Sequence, residues 1–288
     1  MEDMAGRTKP PTVRLRRLAA ELKRLRAAAG LTREQVEEQT GITVGTLYRL
    51  EMAKARPQKR TLITLLDLYG VSDDAQRAAL AELARNAGQL GWLQPYEPEL
   101  PEGYQQYISF EAEASRLSNY ESLYVPGLLQ TEAYARAVIR GVLPEETNDE
   151  IEQRVQVRLR RQQALATDPP VGLWAVIDEA VIRRVVGGSK IQREQLRHLT
   201  EAADAPHITV QLIPYGAGAH PGMPGAFLVM EFPDPDPALI YTENAGGGLF
   251  LEAEPDVQRY RATFQRLTAQ ALSPADTLTT ISDAAESA

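Results

Sequence analysis

The stretch LTREQVEEQTGITVGTLYRLE, residues 31–51, decides how the first part of the chain folds. Thr32 followed by Arg33, Glu34 and Gln35 is a capping box: the threonine hydroxyl accepts a helix-start amide while the glutamine side chain reaches back. A short helix then runs to Thr40, and Gly41 stops it because glycine takes the left-handed backbone that a tight turn needs. Thr43 caps a third helix, in which Leu47 and Leu50 point inward before Pro57 interrupts. Val36, Ile42, Leu47 and Leu50 are the expected small core between the two helices.

Working outward toward the N-terminus, Leu15, Leu18, Leu22 and Leu25 recur at spacings of three and four. They form one apolar helical face, with Arg16, Arg17, Lys23, Arg24 and Arg26 around it and Gly30 as the stop. Residues 1–13, with Gly6, Lys9 and two prolines, read as a flexible basic arm. Two more helices fit Arg60 to Tyr69 and Asp73 to Gly88, so residues 14–88 form an all-helical domain.

Residues 89–103 carry Gly91, Pro95, Pro98, Pro101 and Gly103 and read as a linker. Residues 104–166 look helical again. After Pro170, Gly172 to Ile177, Ile208 to Ile213, Ala226 to Phe232, Leu239 to Glu243 and Leu249 to Leu251 are short β-prone runs bounded by Gly, Pro, Asp or Asn. Helices at about 179–186, 190–204 and 255–272 interrupt or close the set. The expected fold class is α+β: an all-α domain followed by an α+β domain over 104–274 with a largely antiparallel sheet, then a loose acidic tail over 275–288.

Composition narrows the functions available. The 288 residues contain no cysteine, which excludes disulfides, thiolate zinc sites and cysteine nucleophiles. No apolar run approaches the roughly 20 residues that span a bilayer, and no signal-peptide core is present, so the reading is cytoplasmic with no membrane partner. The net charge of −8 is unevenly spread: residues 1–62 hold 14 Lys and Arg against 7 Asp and Glu, whereas the remainder is strongly acidic. The first part suits phosphate and the rest repels it.

A helix-turn-helix of this kind can lay its second helix in the major groove, about 12 Å wide. The segment resembles the Xre/Cro-type helix-turn-helix family through Leu31, Thr32, Gly41, Ile42, Thr43, Thr46, Leu47, Arg49, Leu50, Glu51 and Pro57, with Glu37 where a small alanine is usual. That resemblance implies double-stranded DNA as a partner and places Val44, Gly45 and Arg49 against bases. Of these, Arg49 has the hydrogen-bonding fork that guanine takes. Arg33, Thr43, Thr46, Tyr48, Lys54, Arg56 and Lys59 are assigned to phosphates. Glu51 is expected to pair with an arginine of the first helix such as Arg26. Two subunits one DNA turn apart would read a pseudo-palindrome, so a homodimer is expected.

Further on, YESLYVPGLLQTEAYARAVI, RLRRQQAL, QLRHL, ITVQLIP, GAFLVMEF, IYTEN and RYRATFQRLTAQALSP resemble the antitoxin-like C-terminal domain of actinobacterial Xre-type regulators. The resemblance implies a regulator often encoded beside a small protein partner, in a toxin-antitoxin-like or developmental switch; a DNA-binding chain is expected to be nucleoid-associated. It implies no catalysis and no cofactor. The apolar run at Val125, Leu128 and Leu129 reads either as core or as a partner-binding groove. No catalytic residue and no metal site can be read from spacing. The rival reading is a ligand-sensing or enzymatic C-terminal domain, for which a cluster of His220, Asp178 and Glu243 around a pocket would be the sign. Gly246, Gly247 and Gly248 read as a plain turn.

Overall fold

The computed structural model describes residues 12–86, 92, 93, 95, 96, 100–233, 237–244 and 246–287. The basic arm lies outside them apart from its last two residues, as does most of the linker. The chain divides into two compact units, Met1–Phe110 and Glu111–Ala288.

In the first unit, α1 (Val13–Ala28), α2 (Arg33–Thr40), α3 (Val44–Glu51), α4 (Lys59–Leu68) and α5 (Asp74–Asn86) are followed by α6 (Glu102–Glu111), which ends at the division. The local chemistry acts as the residues dictate. Thr12, Thr32 and Thr43 cap α1, α2 and α3, the Thr32–Gln35 box is reciprocal, and Gly41 closes α2 at φ 73°. Leu18, Leu22, Leu25, Val36, Leu47, Leu50, Leu62, Leu65 and Leu80 share one core, with Ile42 packed at its edge. Each fully buried leucine contributes roughly 1.5–3 kcal/mol of transfer free energy, which makes this cluster the main stabilising term.

The second unit is built on a six-stranded mixed sheet of order β3-β2-β1-β4-β5-β6. Its strands are β1 (Arg116–Glu121), β2 (Gly172–Asp178), β3 (Ile208–Ile213), β4 (Phe227–Glu231), β5 (Leu239–Asn244) and β6 (Gly247–Leu251). β1, β2 and β3 run parallel, and β4, β5 and β6 add antiparallel neighbours, so three of the five pairings are antiparallel. The parallel part requires crossovers. α7 (Glu132–Val142) and α8 (Asn148–Gln162) connect β1 to β2, and α9 (Glu179–Arg183) with α10 (Ser189–Ala202) connect β2 to β3. α11 (Glu254–Gln270) places Val257, Phe264 and Leu267 in one cluster with Tyr120, Val176, Phe227, Val229 and Ile240 of the sheet.

Three sequence expectations are corrected here. β1 falls inside the stretch read as helical, yet it is a central strand paired on both sides. The acidic end is no loose tail: α12 (Pro274–Ser287) buries Thr277, Ile281, Ala284 and Ala285, which share one face of the helix. The glycine run 246–248 is more than a turn, because Gly247 and Gly248 are the first residues of β6. A Cβ on Gly248 would come within 2.5 Å of the Tyr241 ring, so the aromatic ring occupies the space a side chain would need.

Candidate nucleic-acid interface

The third helix is short and two-sided. Leu47, Leu50 and Glu51 are buried, whereas Gly45, Tyr48, Arg49 and Met52 face solvent and Val44 and Thr46 lie between. Gly45 leaves open space where a side chain would stand. Of the expected base-facing residues, Gly45 and Arg49, four apart, are therefore at the outer side of one helix, and Val44 is half-buried at its start. Arg49 Nη2 donates to Thr46 Oγ1 at 3.2 Å, and Thr46 in turn is bonded to the capping hydroxyl of Thr43 at 3.0 Å. The Thr43 hydroxyl also accepts the Thr46 amide, so its first duty is the cap rather than a phosphate.

Glu37 has a role that the sequence comparison with an expected alanine does not reveal. Its Oε2 accepts the Val44 amide at 2.9 Å, seven residues ahead, and thus caps the start of α3 from α2. A carboxylate at a helix N-terminus also meets the positive end of the helix dipole. Glu37 therefore joins the two helices directly.

The buried Glu51 carboxylate holds the other end of α3. Arg26 donates to both of its oxygens from α1, and Arg33 donates Nε to Oε2 at 2.8 Å from α2. Arg26 Nη1 also donates to the Leu31 carbonyl at 2.7 Å. Burial alone would push the Glu51 carboxyl up, but the hydrogen bonds from Arg26 and Arg33 and their charges hold it below its ordinary value. The expected Arg26–Glu51 clamp is thus present, with a second arginine in it. Arg33, expected at a phosphate, has part of its guanidinium bound to Glu51 and lies over the Tyr48 ring, 5.5 Å from the centroid. It positions α2 against α3.

The remaining cations are placed at the surface. Lys54, Arg56 and Lys59 are exposed, and Lys54 Nζ sits 5.3 Å from the centroid of the Tyr48 ring. Arg56 and Lys59, with Arg85, border a cavity of about 360 Å³ floored by Pro57, Leu62, Ala81 and Ala84. Tyr48, Arg49, Lys54, Arg56 and Lys59 are all exposed.

In the second unit, of the two readings of Val125, Leu128 and Leu129, the partner-binding groove is ruled out and core holds, as they are 0, 6 and 1% exposed. Three glutamines fix this turn through its carbonyls: Gln130 Nε2 to Val125, Gln162 Nε2 to Gly127 and Gln130, and Gln195 Nε2 to Leu129. With the side chains inside and the carbonyls bonded, no apolar surface is offered there.

Two polar groups collect at the end of the sheet where β1 and β2 finish. His220 Nε2 lies 3.4 Å from Asp178 Oδ2, and His220 Nδ1 accepts the Gly222 amide at 3.3 Å. Both ring nitrogens have partners, so the histidine pins its loop to the start of α9 rather than presenting a free base. Glu243, the third member of the sought cluster, is exposed on β5. Glu121 is half-buried; burial pushes its carboxyl up to about 8, with the Glu243 charge adding to the effect and an Asn119 hydrogen bond and Arg158 opposing it. The folded state thus holds a proton that the unfolded chain releases near pH 4.5, and stability should fall as pH rises from there to about 8. Glu121→Gln is expected to flatten that fall. Melting temperatures at pH 5 and pH 8.5 check it: equal gains at both would show that Glu121 does not titrate in this range.

A profile described as a domain of unknown function (DUF5753) matches residues 104–283, more than half of the chain. The chain belongs to the DUF5753 family. A helix-turn-helix domain profile matches residues 17–80, which runs from the second turn of α1 to the middle of α5. The DUF5753 match reaches into α12, in keeping with the packing of that helix. No curated protein and no solved structure matches. The DUF5753 chain therefore carries a helix-turn-helix of the kind found in DNA-binding regulators, joined to a domain whose family has no described function. Among the described residues, no helix is long and apolar enough to cross a membrane and no group of three metal-ligating side chains occurs.

Proposed function

We propose that this chain is a sequence-specific transcriptional repressor that binds DNA as a homodimer in the cytoplasm, associated with the nucleoid. Its C-terminal unit would join the two copies and sense a small protein partner, as in an antitoxin-like Xre regulator. The observation that carries the DNA reading is the placement of Gly45 and Arg49 at the exposed side of a helix locked to its neighbours by Glu37 and Glu51. The acidity of the second unit, with 15 Lys and Arg against 25 Asp and Glu over residues 111–288, suits a basic partner and keeps that unit off phosphate. The proposal includes no catalysis, in keeping with a His220 whose nitrogens are both taken.

Arg49→Ala should weaken operator binding by about 1–3 kcal/mol while leaving binding to unrelated duplex nearly unchanged. Gel-shift titrations on the two DNAs measure this, and equal loss on both would make Arg49 a phosphate contact. Genomic footprinting of the tagged protein, with and without the product of the neighbouring gene, tests the whole reading. Absence of protected sites under both conditions would overturn it.

A further inference from the structure

Helices α4 and α5 leave a cavity between them, and the small residues of α5 are the reason. Ala81, Ala84 and Arg85 follow one another at spacings of three and one, so they share one face of that helix, where two methyl groups leave room that longer apolar side chains would fill. The other side is given by Pro57, Lys59 and Leu62. Leu62 and Ala84 are 2% and 6% exposed and belong to the core of the first unit, so the cavity of about 360 Å³ reaches that core from the surface. Cavities that take a small organic molecule measure roughly 300–1,000 Å³.

The rim is charged in one sense only. Arg56, Lys59 and Arg85 border the cavity and no acidic residue does. All three cations are exposed, and none makes an ion pair among the described residues. Lys59 also opens α4, to which the N-cap Gln58 gives no side-chain hydrogen bond, so the positive end of that helix dipole adds to the potential here. A phosphate, free or in a DNA backbone, would use these charges and leave the apolar floor bare. A neutral apolar molecule would use the floor alone. An anion with an apolar body uses both.

We propose that this cavity binds a small apolar carboxylate, with its hydrocarbon part on Pro57, Leu62 and Ala84 and its charge at Arg56, Lys59 and Arg85. The site draws on Arg56 and Lys59, two of the cations expected at phosphates, so ligand and duplex should compete. Occupancy of the cavity would then release the chain from DNA. The competition rests on the DNA reading given above; the binding site itself does not.

Calorimetric titration of the full chain with octanoate, 1-octanol and octyltrimethylammonium tests the chemistry, since the three share a hydrocarbon chain and differ in charge. Octanoate should bind with a negative heat-capacity change, 1-octanol several-fold more weakly, and the ammonium not measurably. Ala81 is exposed, so Ala81→Phe should fold, which far-UV circular dichroism checks. By taking the volume that the hydrocarbon needs it should weaken octanoate ~tenfold or more. Arg85→Glu, which reverses one rim charge, should weaken it about fivefold. No binding of octanoate, equal affinity for octanoate and 1-octanol, or octanoate binding untouched by both variants would overturn the site. In gel shifts on unrelated duplex, octanoate should release the wild-type chain and leave Ala81→Phe in place, each compared with its own affinity without ligand. Octanoate that binds without displacing a bound duplex would refute the competition. Octanoate binding by a chain that holds no duplex would overturn the DNA reading and leave the site standing.

Discussion

Glu51→Ala is expected to unfold the helix-turn-helix or bring it close to unfolding. The Glu51 side chain has no solvent exposure, and it satisfies guanidinium groups from two other helices, Arg26 at 14% and Arg33 at 28% exposure. Removing the acceptor leaves two half-buried cations facing each other with their donors unmet. Breaking a buried ion pair from one side costs about 3–5 kcal/mol, a large part of the 5–15 kcal/mol that a domain of ordinary stability has in total. For a unit this small the melting transition should drop by roughly 12 °C or more. Calorimetry of the full chain, with far-UV circular dichroism as a check, measures it. DNA binding should fall for every sequence alike, in contrast to Arg49→Ala. Replacing Arg26, Arg33 and Glu51 together by apolar residues of similar volume should recover most of the loss, because the penalty lies in the unpaired charge. The deficit of Glu51→Ala should also shrink in acid. The folded state holds this carboxyl below its ordinary value, so its contribution is complete above the unfolded carboxylate range near about pH 4.3 and vanishes as pH falls through the folded value. A deficit of less than 1 kcal/mol at neutral pH would show that the clamp is a surface pair in its energetics.

Arg161→Met should be comparably severe in the second unit. Arg161 on α8 makes a two-pronged contact with Glu111, Nε to Oε1 and Nη2 to Oε2, each at 2.7 Å, and the two side chains are only 4% and 3% exposed. Such fork-to-carboxylate geometry is the strongest form of ion pair, and the carboxylate left behind would be desolvated without a counter-charge. The expected cost is about 3–5 kcal/mol, which for a unit of this size lowers its transition by roughly 6–20 °C. The double variant Glu111→Leu/Arg161→Met should be much nearer to wild type than either single change. If the double change is as damaging as the sum of the two, the pair is uncoupled and the argument from geometry fails.

The ease with which each part can be read follows the range of the interactions that make it. The threonine caps, Gly41 and the leucine faces of α1 to α3 are local, and a few neighbouring residues suffice to identify them. Even the Arg26–Glu51 contact, between α1 and α3, follows from knowing that Glu51 cannot face phosphate. β1 is hidden because Arg116-Leu-Ser-Asn-Tyr-Glu is polar and short; only its two partners, β2 and β4, far along the chain, make it a strand. α12 is hidden by composition, since serine, threonine, alanine and acids suggest a solvated end. Its spacing of Thr277, Ile281, Ala284 and Ala285 nevertheless marks a buried face. The contacts of Arg33 and Val125 are hidden for a similar reason: a cation beside a helix start and an apolar run are both compatible with a surface role, and their partners lie 18 residues away at Glu51 and 5 residues away at Gln130.

The Leu272 amide and the Thr277 hydroxyl occupy both outward backbone groups of Leu212 on β3, so no further strand can pair at that residue. A sheet open on both sides can add copies without end and become a fibre, whereas a sheet open on one side closes after a single pairing. By engaging Leu212, α12 and the residues that lead into it act as a stop built into the subunit. On that side the subunit ends its own ladder of strands.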